Sequence, residues 1–147
     1  MSKNNDEQAV DIISFSVPAF GYELIREELM DDLLGNDKPG ILYWAGKRIA
    51  RKYPLFSIEE ITEFFSNAGW GNLTLEYEKK YEMGFSLTSE LIKNRLSAKT
   101  SATFQLEAGF LAEQIKRIKK VYAETFEHPK KKVGTVRFIV RWDEETD

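Results

Sequence analysis

Apolar positions recur every three or four residues through the first seventy positions and every second residue from Leu73 to Leu87. That change of period predicts helices followed by a hairpin. Residues 1–10 are polar and read as a loose N-terminal arm. Residues 20–34 place Leu24, Ile25, Leu29 and Leu33 at helical spacing, and Gly35-Asn36-Asp37 supplies strong stop chemistry. A second helix opens at Pro39-Gly40 and carries Ile41, Leu42, Trp44, Ala45, Ile49 and Tyr53, with Lys47, Arg48, Arg51 and Lys52 expected towards water. Gly46 lies inside it. An interior glycine costs about 1 kcal/mol relative to alanine, which a close helix crossing would explain. Pro54 ends the helix. Ser57-Ile-Glu-Glu60 then reads as a capping box, with Phe56 and Ile61 as its hydrophobic staple and Gly69 as a left-handed stop.

After Gly71 the alternation points Leu73, Leu75 and Tyr77 one way, turns near Glu78-Lys79-Lys80, and continues through Tyr81, Met83, Phe85 and Leu87. Residues 90–96 form a short helical connection. Residues 100–119 predict a long helix with Phe104, Ala108, Leu111, Ile115 and Ile118 on one face, covering the sheet. A second hairpin follows, with Tyr122, Phe126 and Trp142 on the core face. Its turn runs over residues 129–134, with His128 in the hairpin loop directly before Pro129, and Val136, Phe138, Val140 and Trp142 alternate with Arg137 and Arg141. The order is α-α-α-β-β-α-β-β, an α+β domain with helices packed on a four-stranded antiparallel sheet. The domain is expected over residues 11–142, with an acidic tail at 143–147.

Composition narrows the chemistry. The 147 residues contain 42% hydrophobic and 31% charged positions, which suits one folded domain with a solvated surface. With no cysteine, disulfides, thiol nucleophiles, thiolate metal sites and acylated cysteines are excluded, and one histidine, His128, cannot build a histidine-rich metal site. No stretch approaches a membrane span or a signal-peptide core, and a cytoplasmic protein is expected. The net charge of -3 is unevenly spread: residues 1–40 hold three basic and nine acidic side chains, and residues 116–142 hold nine basic and two acidic. Such segregation fits elements that fold back on one another or pair with a second subunit.

Candidate sites are weak. The second and third helices have helix-turn-helix spacing, but the third carries Glu59, Glu60 and Glu63, which repel phosphate and argue against nucleic-acid binding. The basic stretch from Lys116 to Arg141 reads as a solvated face. Glu27 with Asp31, and Glu59 with Glu63, sit at four-residue spacing on helix faces expected to be exposed. Ser86 and Ser89 have no neighbouring base. No catalytic residue, metal ligand or cofactor is assigned. Trp44, Trp70, Tyr81, Phe85, Phe104 and Leu111 are candidates to line an apolar pocket between helices and sheet, although such stripes are usually core.

Three blocks, Ile41-Leu-Tyr-Trp-Ala-Gly-Lys, Asn67-Ala-Gly-Trp-Gly and Phe104-Gln-Leu-Glu-Ala-Gly-Phe-Leu-Ala, make the chain resemble the uncharacterised YslB-like family of small bacterial proteins. That family looks like a remote branch of the superfamily of four-vinyl-reductase-type ligand domains, Bet-three-type subunits of vesicle-tethering complexes and haem nitric-oxide sensor domains. The resemblance implies the same α+β order, an apolar small-molecule or lipid pocket, and helix-mediated dimers. This chain departs from those relatives where their chemistry lies, because it has no cysteine and its histidine is beside a proline. The reading is a non-enzymatic interaction or scaffold protein that dimerises through its first two helices. The alternative is a sensor that holds an apolar small molecule or lipid between the sheet and the helix at 100–119.

Overall fold

Glycine decides how the helical layer is assembled. The computed structural model describes residues 13–98 and 102–144. The expected arm at residues 1–10, the first two residues of the expected helix at 100–119 and the last three residues of the acidic tail lie outside them. A helical run comprises α1 (Ala19–Glu23), a π-helical segment (Leu24–Leu29) and α2 (Met30–Leu34). A single 3-10 turn leads to α3 (Lys38–Lys52), followed by α4 (Ile58–Asn67). Strands β1 (Asn72–Lys79) and β2 (Glu82–Thr88) come next, then α5 (Glu90–Ala98), α6 (Gln105–Lys119), β3 (Glu124–Lys130) and β4 (Thr135–Arg141).

α6 is the centre of the molecule. Every residue from Glu107 to Ile115 is buried, so this helix is enclosed on all sides rather than half-exposed. It meets α3 through two glycines. A Cβ on Gly46 would land on the Leu106 carbonyl and 2.7 Å from the Phe110 amide nitrogen, and one on Gly109 would land on the Tyr43 carbonyl. The crossing expected from Gly46 is therefore reciprocal, and backbone touches backbone. α6 starts at Gln105, later than expected, because Phe104 donates its N–H at 3.0 Å to the Glu127 carboxylate on β3. Thr103 and Gln105 donate to the same carboxylate at 2.8 and 2.7 Å, so a strand residue caps this helix.

The capping box forms, with Ser57 Oγ accepting from the Glu60 amide at 3.1 Å and Glu60 accepting from the Phe56 amide at 2.8 Å. Phe56 nonetheless stays 67% exposed beside a fully buried Ile61, and the expected staple does not bury it. Gly69 takes φ 75°, as a left-handed stop requires. Trp70 packs edge-on against Phe65 and Phe110 at 5.0 and 5.2 Å, which puts it in the core.

The strands pair antiparallel in the order β1-β2-β4-β3. Two side-chain directions differ from expectation. The pairing shifts between Leu75 and Tyr77, so Leu75 lies opposite Phe85 on the core face while Tyr77 lies opposite Gly84 on the outer face. A bulge reverses the alternation there, and the Tyr77 ring occupies the space where a Gly84 side chain would stand. On β3 the inward residue is Thr125, while Tyr122 and Phe126 are exposed. The sequence offers apolar residues in both phases, Val121 and Ala123 in one and Tyr122 and Phe126 in the other, and pairing with β4, Thr125 opposite Val140, fixes the choice. His128 and Pro129 also belong to β3 rather than to a turn, because an edge strand tolerates proline.

Candidate interaction surface

The first helical run is inside out. Its buried residues are Arg26 and Glu27, whereas Phe20, Ile25, Leu29 and Leu33 are exposed. The spacing of the apolar residues is helical, as expected, but the stripe faces away from the core. Charge holds the run in place. Arg26 donates to Glu107 Oε1 on α6 at 2.7 Å and to the Tyr22 hydroxyl at 3.0 Å. Arg95 on α5 forms a two-pronged pair with Glu23 at 2.8 and 2.7 Å, and Glu27 lies within 3.6 Å of Arg95 and 3.5 Å of Arg26. Both guanidiniums lie about 6 Å from the centre of the buried Phe104 ring, at 6.0 and 5.7 Å.

Burial works against the charge on Arg26, but Glu107 outweighs it and leaves the guanidinium more firmly protonated than usual. Arg95 behaves alike: burial is the largest influence and lowers it, and Glu23 reverses the sign. Glu107 is fully buried and its Oε2 has no hydrogen-bond partner among the described residues. Glu27 therefore does not sit on an exposed face as the spacing with Asp31 suggested. Asp31 instead takes the buried Lys38 ammonium at 2.6 Å, closing the helical run onto α3. None of these partners was visible from sequence. The one signal was that Glu107 is a carboxylate inside the apolar block Phe104-Gln-Leu-Glu-Ala-Gly-Phe-Leu-Ala, where an unpaired charge is costly.

α3 continues the uncovered surface. Trp44 is 56% exposed, with the Arg48 guanidinium 5.2 Å from its ring centre, and Ile41 is 40% exposed one turn earlier. The six pocket candidates are thus divided. Phe85, Phe104 and Leu111 are fully buried and Trp70 nearly so, while Tyr81 is half-buried at the β1–β2 turn and Trp44 stands on the opposite, solvent-facing side of α3. A hollow of about 410 Å³ lies elsewhere, between the first helical run and α5, lined by residues that include Phe20, Leu24, Glu28 and Arg95.

The remaining candidates have structural partners. Ser89 Oγ accepts from the Ile92 amide at 3.0 Å and caps α5, and Ser86 donates to Glu76 at 3.0 Å. His128 is exposed on β3 opposite Arg137. Among the described residues no group of three or more histidines and carboxylates is placed to hold a metal ion, and no helix is long and apolar enough to cross a membrane.

This arrangement can be set beside known proteins. The family model described as a protein of unknown function, DUF2507, matches residues 19–141. The chain belongs to the DUF2507 family. It is also 45% identical over 142 residues to the uncharacterised protein YslB of Bacillus subtilis (strain 168), covering 96% of each chain. Among solved structures it is similar to a vinyl-4-reductase family protein from Methanocaldococcus jannaschii, with a TM-score of 0.65 and 19% identity over 89% of this chain and 85% of that one. That likeness is one of fold. It agrees with the α+β arrangement that the resemblance implied, helices set on one four-stranded antiparallel sheet.

Proposed function

We propose that this DUF2507 protein is a non-enzymatic interaction module that works as a homodimer, with the first helical run and α3 of each copy mated to those of the other. The observation that supports it is the inside-out helix. Ile25, Leu29 and Leu33 recur on successive turns of the first helical run and are exposed, as are Ile41 and Trp44 on α3, while Arg26 and Glu27 of the first run are buried. Scattered exposed apolar residues are ordinary, but a contiguous stripe marks an interface. Trp44 under Arg48 is the side-chain type that dominates interface energetics. A two-fold axis would place the stripe on itself, satisfying both copies at once.

Sedimentation across micromolar concentrations tests this. The full chain should sediment as a dimer, and Leu33→Asp, a change at a position 67% exposed in the single chain, should give a folded monomer. A full chain that stays monomeric at every concentration ends the reading.

A second reading is supported by the hollow beside α5, whose volume falls within the range of small-molecule sites. Its wall joins Phe20 and Leu24 to Glu28 and Arg95, which suits an amphipathic ligand. A native mass spectrum of freshly purified protein should then show a retained small molecule, and bare protein mass would count against it.

A further inference from the structure

The chain just before α1 carries Ile13-Ser-Phe-Ser-Val17, an apolar–polar alternation that the first helical run does not continue. Residues 13–17 form neither helix nor strand, and Ile13, Phe15 and Val17 are 76%, 86% and 74% exposed. Three large apolar side chains on one short segment therefore find no cover among the described residues. The stripe of Leu29, Leu33, Ile41 and Trp44 on that same chain is likewise uncovered. Two apolar surfaces that do not meet within one copy are each available to the other copy's counterpart.

We propose that residues 13–17 of one copy lie across the apolar stripe of a second copy, and that the exchange is reciprocal. This rests on the homodimer reading and adds to it a specific occupant for the outer part of the stripe. Reach allows it. Five extended residues span roughly 16 Å, whereas the two helical turns from Ile25 to Leu33 rise about 12 Å. The arm is long enough to cover the part of the stripe on the first helical run, Ile25 to Leu33, while Pro18 anchors it at the start of α1. Alternation suits the task, since Ile13, Phe15 and Val17 would face the helices and Ser14 and Ser16 the solvent. Charge is no obstacle, because residues 13–17 carry none. A two-fold dimer gains two such contacts, one from each arm, so losing the arm weakens association twice over.

The absence of cysteine from the chain makes a direct test available. Full-length Phe15→Cys is mixed with full-length Leu29→Cys carrying a C-terminal tag, and the mixture is oxidised and resolved by mass. A disulfide-linked species of the mixed mass is the expected product. In parallel, full-length Phe15→Asp should keep the unfolding temperature of the parent chain under conditions where both are monomeric, with a dimer dissociation constant raised at least tenfold. If the parent chain is dimeric, no mixed disulfide forms and Phe15→Asp dissociates within twofold of the parent, arm exchange is wrong and the helix-mediated dimer stands. If the parent chain is monomeric throughout, both fall together.

Discussion

Arg26 and Glu107, separated by 81 positions in the sequence, meet at 2.7 Å in an environment closed to solvent. The pair ties the π-helical segment to the central helix, and it explains how a helix can present its apolar side outward without detaching. Hydrophobic burial does not hold this helix in the single chain. Ion pairing does, with Arg95, Glu23 and Glu27 completing the cluster.

Removing one partner should therefore be far more damaging than removing both. Arg26→Met leaves Glu107 buried and uncompensated, and a loss of about 3–5 kcal/mol is expected in urea denaturation. The double variant Arg26→Met, Glu107→Leu should recover at least 2 kcal/mol of that, roughly, because replacing a buried pair with apolar groups is often close to neutral. Additive losses would show that the pair is not coupled.

Gly46→Ala and Gly109→Ala test the helix crossing. Alanine gains about 1 kcal/mol in intrinsic helix propensity, but the added methyl meets the backbone of the opposing helix at either site. Backbone cannot rotate aside as a side chain can. Each variant should lower stability by about 1–3 kcal/mol or more, read from the midpoint of thermal unfolding, and a neutral result would mean that α3 and α6 separate easily.

Glu127→Ala removes the carboxylate that caps α6 from β3. It takes an acceptor from Thr103, Phe104 and Gln105 together. A single cap is worth about 0.5–2 kcal/mol, and this variant should lie at the upper end because three donors lose one partner. Hydrogen exchange should quicken at the first turn of α6 before it changes at its middle.

Tyr43 sets a pH limit on the alkaline side. Burial is the largest cause raising its phenol above the usual value, and the hydrogen bond it donates to Glu124 adds to this; the Thr125 amide, donating to it at 3.0 Å, pulls the other way. A raised value in the folded state means that folding favours the protonated phenol. Its contribution is fully present below the unfolded value near 10 and is lost as pH rises towards the folded one. Urea titrations between pH 8 and 11 should show the parent chain losing stability above about pH 10, and Tyr43→Phe should show a lower plateau with a flatter alkaline limb.

Local signals were legible where they are chemically self-contained. The Ser57 capping box, the left-handed Gly69 and the termination of the second helix at Pro54 depend on residues within one turn of each other, and each formed. The period change after Gly71 likewise specified a hairpin, because alternation is imposed by the strand itself. Trp44 shows the other side. Its spacing matches a core-facing residue, but helical periodicity says only that residues share a stripe and not which way the stripe points.

The sequence by itself determined the kinds of element, their order and the α+β class, since propensity, caps and period are properties of neighbouring residues. Tertiary structure decided direction. It turned Leu29, Leu33 and Trp44 outward, turned Tyr77 over Gly84 at a bulge, and put Thr125 rather than Phe126 inside. It also paired Arg26 with Glu107 and Phe104 with Glu127 across long stretches of chain. Those choices depend on contacts between distant segments, whose energies no local window contains, and they create the uncovered face on which the proposed dimer rests.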